Sequence, residues 1–188
     1  MKCSVFIATS VDGYIARKDG SVDWLHSAGN PNVENDGLAE QTFGDYIASI
    51  DCMIMGRNCM QVISDMNLTP EQWPYGDTRI IVLSTTLSQP PENMLDKVEL
   101  YSGELNALLA QLESEGYQHA YIDGGTTIQS FLNLKRIDEM TITYAPILLG
   151  EGIPLFGATN HDIKLTNAKS TTFANDFIQV NYKVSYPE

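Results

Sequence analysis

The stretch Ala120-Tyr121-Ile122-Asp123-Gly124-Gly125-Thr126-Thr127-Ile128-Gln129 decides how this chain folds. It starts as a short apolar strand, passes two glycines and continues as a helix. In that helix Ile128, Phe131 and Leu132 recur at helical spacing and would face the core. Glycines at a strand-to-helix turn let backbone approach a ligand closely, because no Cβ intervenes. The first amides of the helix lack internal partners and carry partial positive charge, which suits a phosphate or pyrophosphate. Thr126 and Thr127 add hydroxyl donors. The run is neither a GxGxxG fingerprint nor a P-loop. Glycines that merely let helix and strand pack would read the same way, so both readings stand at this point.

Outward from that turn, strands and helices alternate. Strands are expected at Cys3 to Thr9, Cys52 to Met55, Arg79 to Leu83, Lys97 to Tyr101 and Glu139 to Tyr144. Helices are expected at Leu38 to Ile50, from about Cys59 to Met66, and at Glu104 to Glu115 with Ser102 as cap and Gly116 as stop. Two alternating strands, about Asp162 to Thr171 and Phe177 to Val184, form a closing hairpin. The segments Ser10 to Trp24, Asn30 to Asn35 and Leu148 to Phe156 read as loops. This order predicts an α/β fold with a mostly parallel central sheet and an antiparallel C-terminal hairpin.

Composition narrows the function. The 188 residues suit one domain over 1–188, with 43% hydrophobic and 19% charged residues. A formal net charge of -13 leaves little clustered Lys or Arg for nucleic acid or an anionic membrane surface. Cys3, Cys52 and Cys59 match no zinc spacing and read as buried thiols. The histidines His26, His119 and His161 are scattered, so no metal set or catalytic triad is expected, and His119 reads as a surface residue. The chain opens directly in a strand, with no leader pattern and no apolar run long enough to span a bilayer, which points to the cytoplasm.

Three strand ends carry ligand chemistry: Gly56-Arg57-Asn58, Ser84-Thr85-Thr86 and Gly124-Gly125-Thr126-Thr127. In an open α/β sheet, ligands bind outside the carboxyl ends of the strands. Two helix N-termini and a hydroxyl-rich turn on one edge would hold the phosphates and adenosine of a dinucleotide. Arg57, always charged and fork-shaped, suits a 2′-phosphate and so favours NADPH over NADH. Glu40, on the first turn of its helix, is either a dipole partner or a pocket carboxylate acting as proton donor.

Taken in order, the motifs Val11-Asp12-Gly13-Tyr14-Ile15-Ala16, Met55-Gly56-Arg57, Leu83-Ser84, Asp123-Gly124-Gly125 and Tyr144-Ala145-Pro146-Ile147-Leu148-Leu149-Gly150 resemble the dihydrofolate reductase-like superfamily. Within it they resemble the riboflavin-biosynthesis reductases of the RibD C-terminal type. The resemblance implies a three-layer dihydrofolate reductase-like fold, a cis peptide at the Gly-Gly turn and a homodimer. It implies NADPH against Ala8, Ile15, Gly56, Arg57, Asn58, Leu83, Ser84, Thr85 and Asp123 to Ile128. It implies Glu40 and Thr143 as the catalytic pair, and Phe6, Trp24 and Tyr144 against a small-molecule substrate. The implied reaction is hydride transfer to a heterocycle or carbonyl, with 5-amino-6-(5-phosphoribosylamino)uracil reductase as the nearest named activity. A dihydrofolate reductase-like activity and a non-catalytic nucleotide-binding domain are the alternatives. Glu40 separates them, since a solvent-facing carboxylate favours the second. Apart from Arg17-Lys18, no basic cluster falls near the predicted pocket.

Overall fold

The computed structural model describes residues 1–33 and 37–187. Its elements run β1 (Lys2–Ser10), β2 (Tyr14–Ala16), α1 (Trp24–Ser27), α2 (Leu38–Ala48), β3 (Cys52–Gly56), α3 (Arg57–Asp65), β4 (Arg79–Leu83) and β5 (Glu99–Tyr101). They continue as α4 (Leu105–Ser114), β6 (His119–Asp123), α5 (Gly125–Asn133), β7 (Glu139–Ala145), β8 (Ile153–Pro154), β9 (Lys164–Thr172) and β10 (Ile178–Ser185). One eight-stranded sheet has the order β5-β4-β3-β6-β1-β7-β10-β9, and β2 pairs with β8 in a separate ribbon. From β5 to β7 each neighbouring pair is parallel, while β10 is antiparallel to both β7 and β9. The expected parallel sheet and closing hairpin are therefore present.

The central strands are apolar on both faces because both are covered. In β3, Cys52 and Ile54 join a core with Ile128, Phe131 and Leu132 of α5 and Leu108, Leu109 and Leu112 of α4. Met53 and Met55 point the other way, to Met60 and Ile63 of α3 and to Ile80 and Val82. That alternation at a spacing of two gives three layers, and the near-complete burial of these side chains is the main source of stability. A third cluster, Trp24, Ala145, Phe173 and Phe177, ties α1 to the hairpin.

Several local expectations are corrected. Helix α3 begins at Arg57, two residues early, because Gly56 is still extended and the strand runs straight into the helix. Arg57 and Asn58 therefore occupy a first helical turn and not a preceding loop. Ser102 does not cap α4; Glu104 holds that position without a side-chain cap bond. Gly116 does stop the helix, at φ +96°. Strand β5 is shorter than expected, since three residues, Glu99 to Tyr101, meet β4. Residues 14–16 and 153–154, read as loop, pair with each other. Among the described residues no peptide bond is cis, so the Gly-Gly turn is made instead by Gly124 at φ +94°. The expected loop Asn30 to Asn35 falls partly outside the described residues.

Candidate active site

Parallel register brings the strand ends to one rim. Met55 pairs with Asp123, Gly56 with Leu83, and Ser10 with Ala145. The Gly56 turn and the Gly124 turn therefore lie side by side. A Cβ on Gly56 would stand 3.1 Å from Thr127 Oγ1, and one on Gly124 would stand 3.9 Å from the Gly56 amide nitrogen. The first turns of α3 and α5 open at the same place, which concentrates their unpaired amides. Arg57 is exposed and its Nη1 donates to Thr86 Oγ1 at 2.9 Å, a neutral partner that leaves the guanidinium charge uncompensated by that contact. Ser84 Oγ accepts from the amides of Thr86 and Leu87 at 3.2 and 3.0 Å, so it shapes the turn on which Thr86 and the exposed Thr85 sit.

The glycines answer to the protein's own packing as well. A Cβ on Gly124 would meet Cys59 Sγ at 2.5 Å, and one on Gly125 would meet the Pro154 carbonyl oxygen at 2.7 Å and Ile15 Cδ1 at 3.2 Å. Gly125 thus admits the β2–β8 ribbon onto the start of α5. That ribbon is held from above by Asp12, whose carboxylate accepts from Ser10 Oγ at 2.6 Å and from the amides of Leu149 and Gly150 at 3.1 and 2.7 Å. The Leu155 amide donates to the Gly13 carbonyl at 2.9 Å. Two loops that looked independent in the sequence form one flap beside the Gly-Gly turn.

Asp123 is the group best prepared for chemistry. It sits half-buried at the end of β6. Burial pushes its carboxyl up to about 6, while the Gly124 amide, the Cys59 thiol and Tyr121 pull the other way. The Tyr121 hydroxyl donates to the Phe6 carbonyl at 2.7 Å. Around it stand half-buried aromatic rings. Phe6 lies 5.5 Å from Phe43 and 4.8 Å from Tyr46, and Phe43 lies 6.5 Å from Tyr75, between ring centroids. Helix α2 contributes Phe43 and Tyr46 yet has no fully buried residue, so aromatic surface stays uncovered between helix and sheet. Two depressions, of about 390 Å³ near Ser64 and Asn93 and about 410 Å³ near Thr78 and Val98, lie at the opposite, amino ends of the strands.

The other sequence-predicted residues distribute unevenly. Ala8 and Thr143 are register partners on the face of Phe6, and Thr143 Oγ1 accepts from Gln179 Nε2 at 3.0 Å. Ile15, Gly125 and Ile128 gather at the flap. Glu40 is exposed on the first turn of α2. Trp24 has no exposed surface and packs with Ala145, Phe173 and Phe177, which makes it an anchor for α1. Tyr144 falls to the opposite face from Thr143, against the α4–α5 core, so Phe6, Trp24 and Tyr144 do not converge. His119 is half-buried, not a surface residue; its Nε2 meets Ser4 Oγ at 2.7 Å and its Nδ1 the Ser49 carbonyl oxygen at 2.8 Å. The thiols of Cys3 and Cys52 are each pushed up to about 12, chiefly by burial. Among the described residues no group of three or more His, Cys, Asp or Glu is arranged to hold a metal ion. Sequence reading missed Tyr75, Phe43, Cys59 and Asp12 as members of the site. Asp12, inside an Asp-Gly turn, was the one with a visible signal.

Residues 2–179 match the RibD C-terminal domain. The chain belongs to that family. It is 41% identical to a Shewanella sp. PV-4 protein named as a candidate riboflavin biosynthesis protein, with TM-score 0.84 over 99% of this chain and 100% of that one. It is 32% identical to the Bacillus subtilis uncharacterized protein YwjB, over 96% of this chain and 97% of that protein. The reductase Rib7 of Saccharomyces cerevisiae, 13% identical at TM-score 0.63 over 98% and 90% of the two chains, shares the fold. A Thermotoga maritima protein named as a diaminohydroxyphosphoribosylaminopyrimidine deaminase/5-amino-6-(5-phosphoribosylamino)uracil reductase, 16% identical at TM-score 0.63, shares the fold over 98% of this chain and 56% of that one. In this RibD C-terminal domain no described helix is long and apolar enough to cross a membrane.

Proposed function

We propose that this protein is an NADPH-dependent oxidoreductase that reduces a small heterocyclic or carbonyl compound. One observation carries the reading: the Gly56-Arg57 and Gly124-Thr127 turns abut on one carboxyl rim beside Asp123. The residues fit the cofactor. Helix α3, helix α5, Arg57 and the Thr85-Thr86 hydroxyls would hold its phosphates, Arg57 engaging the 2′-phosphate. Ala8, Ile15 and the flap would border the nicotinamide. When bound, NADPH supplies the hydride. The chain orients the acceptor on the Phe6–Phe43–Tyr46 surface, excludes water with the flap, and delivers a proton from Asp123 to the atom next to the reduced carbon. Thr143 fixes a polar edge of the substrate. Free cysteines fit a reducing, cytoplasmic setting, and the family resemblance carries a homodimer.

A second reading is favoured by the exposure of Glu40: a nucleotide-binding domain without chemistry. Paired variants separate the two. With an accepted substrate, Asp123→Asn is expected to lower turnover by about 10²–10⁴-fold, the usual contribution of a positioned proton donor, and Glu40→Gln to leave it near the parent value. Unchanged turnover in Asp123→Asn would remove it as proton source. Retained NADPH binding with no turnover on any heterocycle or carbonyl would favour the second reading.

A further inference from the structure

A titratable group at the amino end of β6 has no part in the reading above. His119 is half-buried where α2 ends against the sheet. Its Nδ1 meets the carbonyl oxygen of Ser49, the residue that closes α2, at 2.8 Å. A carbonyl only accepts, so in the neutral ring Nδ1 carries the hydrogen and Nε2 is the acceptor. Nε2 lies 2.7 Å from Ser4 Oγ, which lies 2.7 Å from Tyr46 Oη. The direction follows: Tyr46 donates to Ser4, Ser4 to His119, and His119 to Ser49. Ser4, in the middle, is 2% exposed, so water has little access to the row.

Each contact in this row holds one hydrogen. A second ring proton breaks the match. Nε2–H then donates to Ser4, Ser4 turns its hydrogen toward Tyr46, and the Tyr46 O–H is left facing a donor. Burial keeps the Tyr46 phenol protonated, and among the described residues Ser4 is its hydroxyl's partner. A buried donor without an acceptor is costly, and movement of α2 away from the sheet relieves it. Tyr46 belongs to the cleft, with its ring 4.8 Å from Phe6 and 5.1 Å from Tyr121 between centroids.

The groups facing His119 divide. Burial is the largest influence and opposes protonation, as does Lys2, its register partner on β1. The Ser49 carbonyl, Asp51 ahead of β3 and Glu139 on β7 favour it. The net result holds the ring below its ordinary value of 6.5. Support of α2 by the neutral ring is therefore complete above that value and is lost as pH falls below it.

We propose that His119 is a positioning residue: neutral, it fixes Tyr46 through Ser4 as part of the cleft wall, and protonated, it releases α2. The cleft then has a firm aromatic wall near neutral pH and a loose one in acid. The inference concerns the wall and not the reaction, so it stands apart from the oxidoreductase reading.

Hydrogen exchange on the full chain tests it between about pH 7.5 and about pH 4.5, with rates corrected for intrinsic pH dependence, α4 as internal reference, and His119 followed by ring NMR. Protection of α2 is expected to fall at least about tenfold relative to α4 as the His119 signal titrates. His119→Gln offers Ser4 an acceptor that takes no proton, and is expected to keep the parent's protection near neutral pH and lose the step. Tyr46→Phe lacks the surplus hydrogen, and is expected to lose the step with α2 less protected throughout. A step retained in either variant would overturn the proposal. So would no step in the parent while His119 titrates, or a ring that stays neutral across the range.

Discussion

At the scale of single residues, two carboxyls are shifted in opposite directions for opposite reasons. Burial raises Asp123 to about 6, so the folded protein keeps a proton there that the unfolded chain releases near 3.8. Stability from this group is present at low pH and is lost as pH rises from about 3.8 through about 6. If Asp123 supplies the proton, turnover falls with an apparent pKa near 6 as pH rises, and the pH profile of Asp123→Asn loses that limb. Glu139 goes the other way. Its burial alone would raise it, but Lys183, Asn181 and Lys2, at 2.7, 2.8 and 3.0 Å, together hold it at about 2. Its contribution is present above the ordinary glutamate range near 4.5 and is lost as pH falls toward about 2. Glu139→Gln should therefore cost about 1.5–3 kcal/mol in urea unfolding at neutral pH, and the difference from the parent should shrink below pH 4. A constant difference across that range would contradict the assignment.

At the scale of elements, the flap is the part whose behaviour the contacts specify most closely. Gly125→Ala places a methyl group 2.7 Å from the Pro154 carbonyl, a backbone atom that cannot swing aside. The expected result is displacement of the β2–β8 ribbon, a loss of about 1–3 kcal/mol in thermal or urea unfolding, and weaker cofactor binding. Asp12→Ala removes the acceptor of the Leu149 and Gly150 amides, and limited proteolysis should then cut within residues 148–156 faster than in the parent. Equal cleavage rates would show that the flap is held by other means. Helix α2 is a contrasting case: the helix was expected from the sequence, yet no residue on it is fully buried, because the sheet face beneath it is the cleft.

At the scale of the molecule, the sheet and its carboxyl rim were legible because their signals are local. Apolar runs such as Cys52 to Met55 and the glycine turn at 124–125 each announce a strand end without knowledge of distant residues. The cleft was less legible, because it is assembled from residues far apart in the chain: Phe6, Phe43, Tyr46 and Tyr121 meet only once β1, α2 and β6 are stacked. Strand alternation also separated residues that sequence proximity had joined, sending Thr143 to the cleft and Tyr144 to the core behind it. Trp24 was expected against the substrate, but it is buried by Phe173 and Phe177, far away in the sequence. The flap, too, needed the pairing of residues near 15 with residues near 153.

The central claim is that this rim grips a phosphorylated nicotinamide cofactor, and titration of the parent protein with NADPH and NADH tests it most directly. The account predicts saturable NADPH binding, weaker NADH binding, and loss of about 1–3 kcal/mol of that preference in Arg57→Ala. Equal affinity for the two cofactors in the parent protein, or a preference untouched by Arg57→Ala, would contradict it.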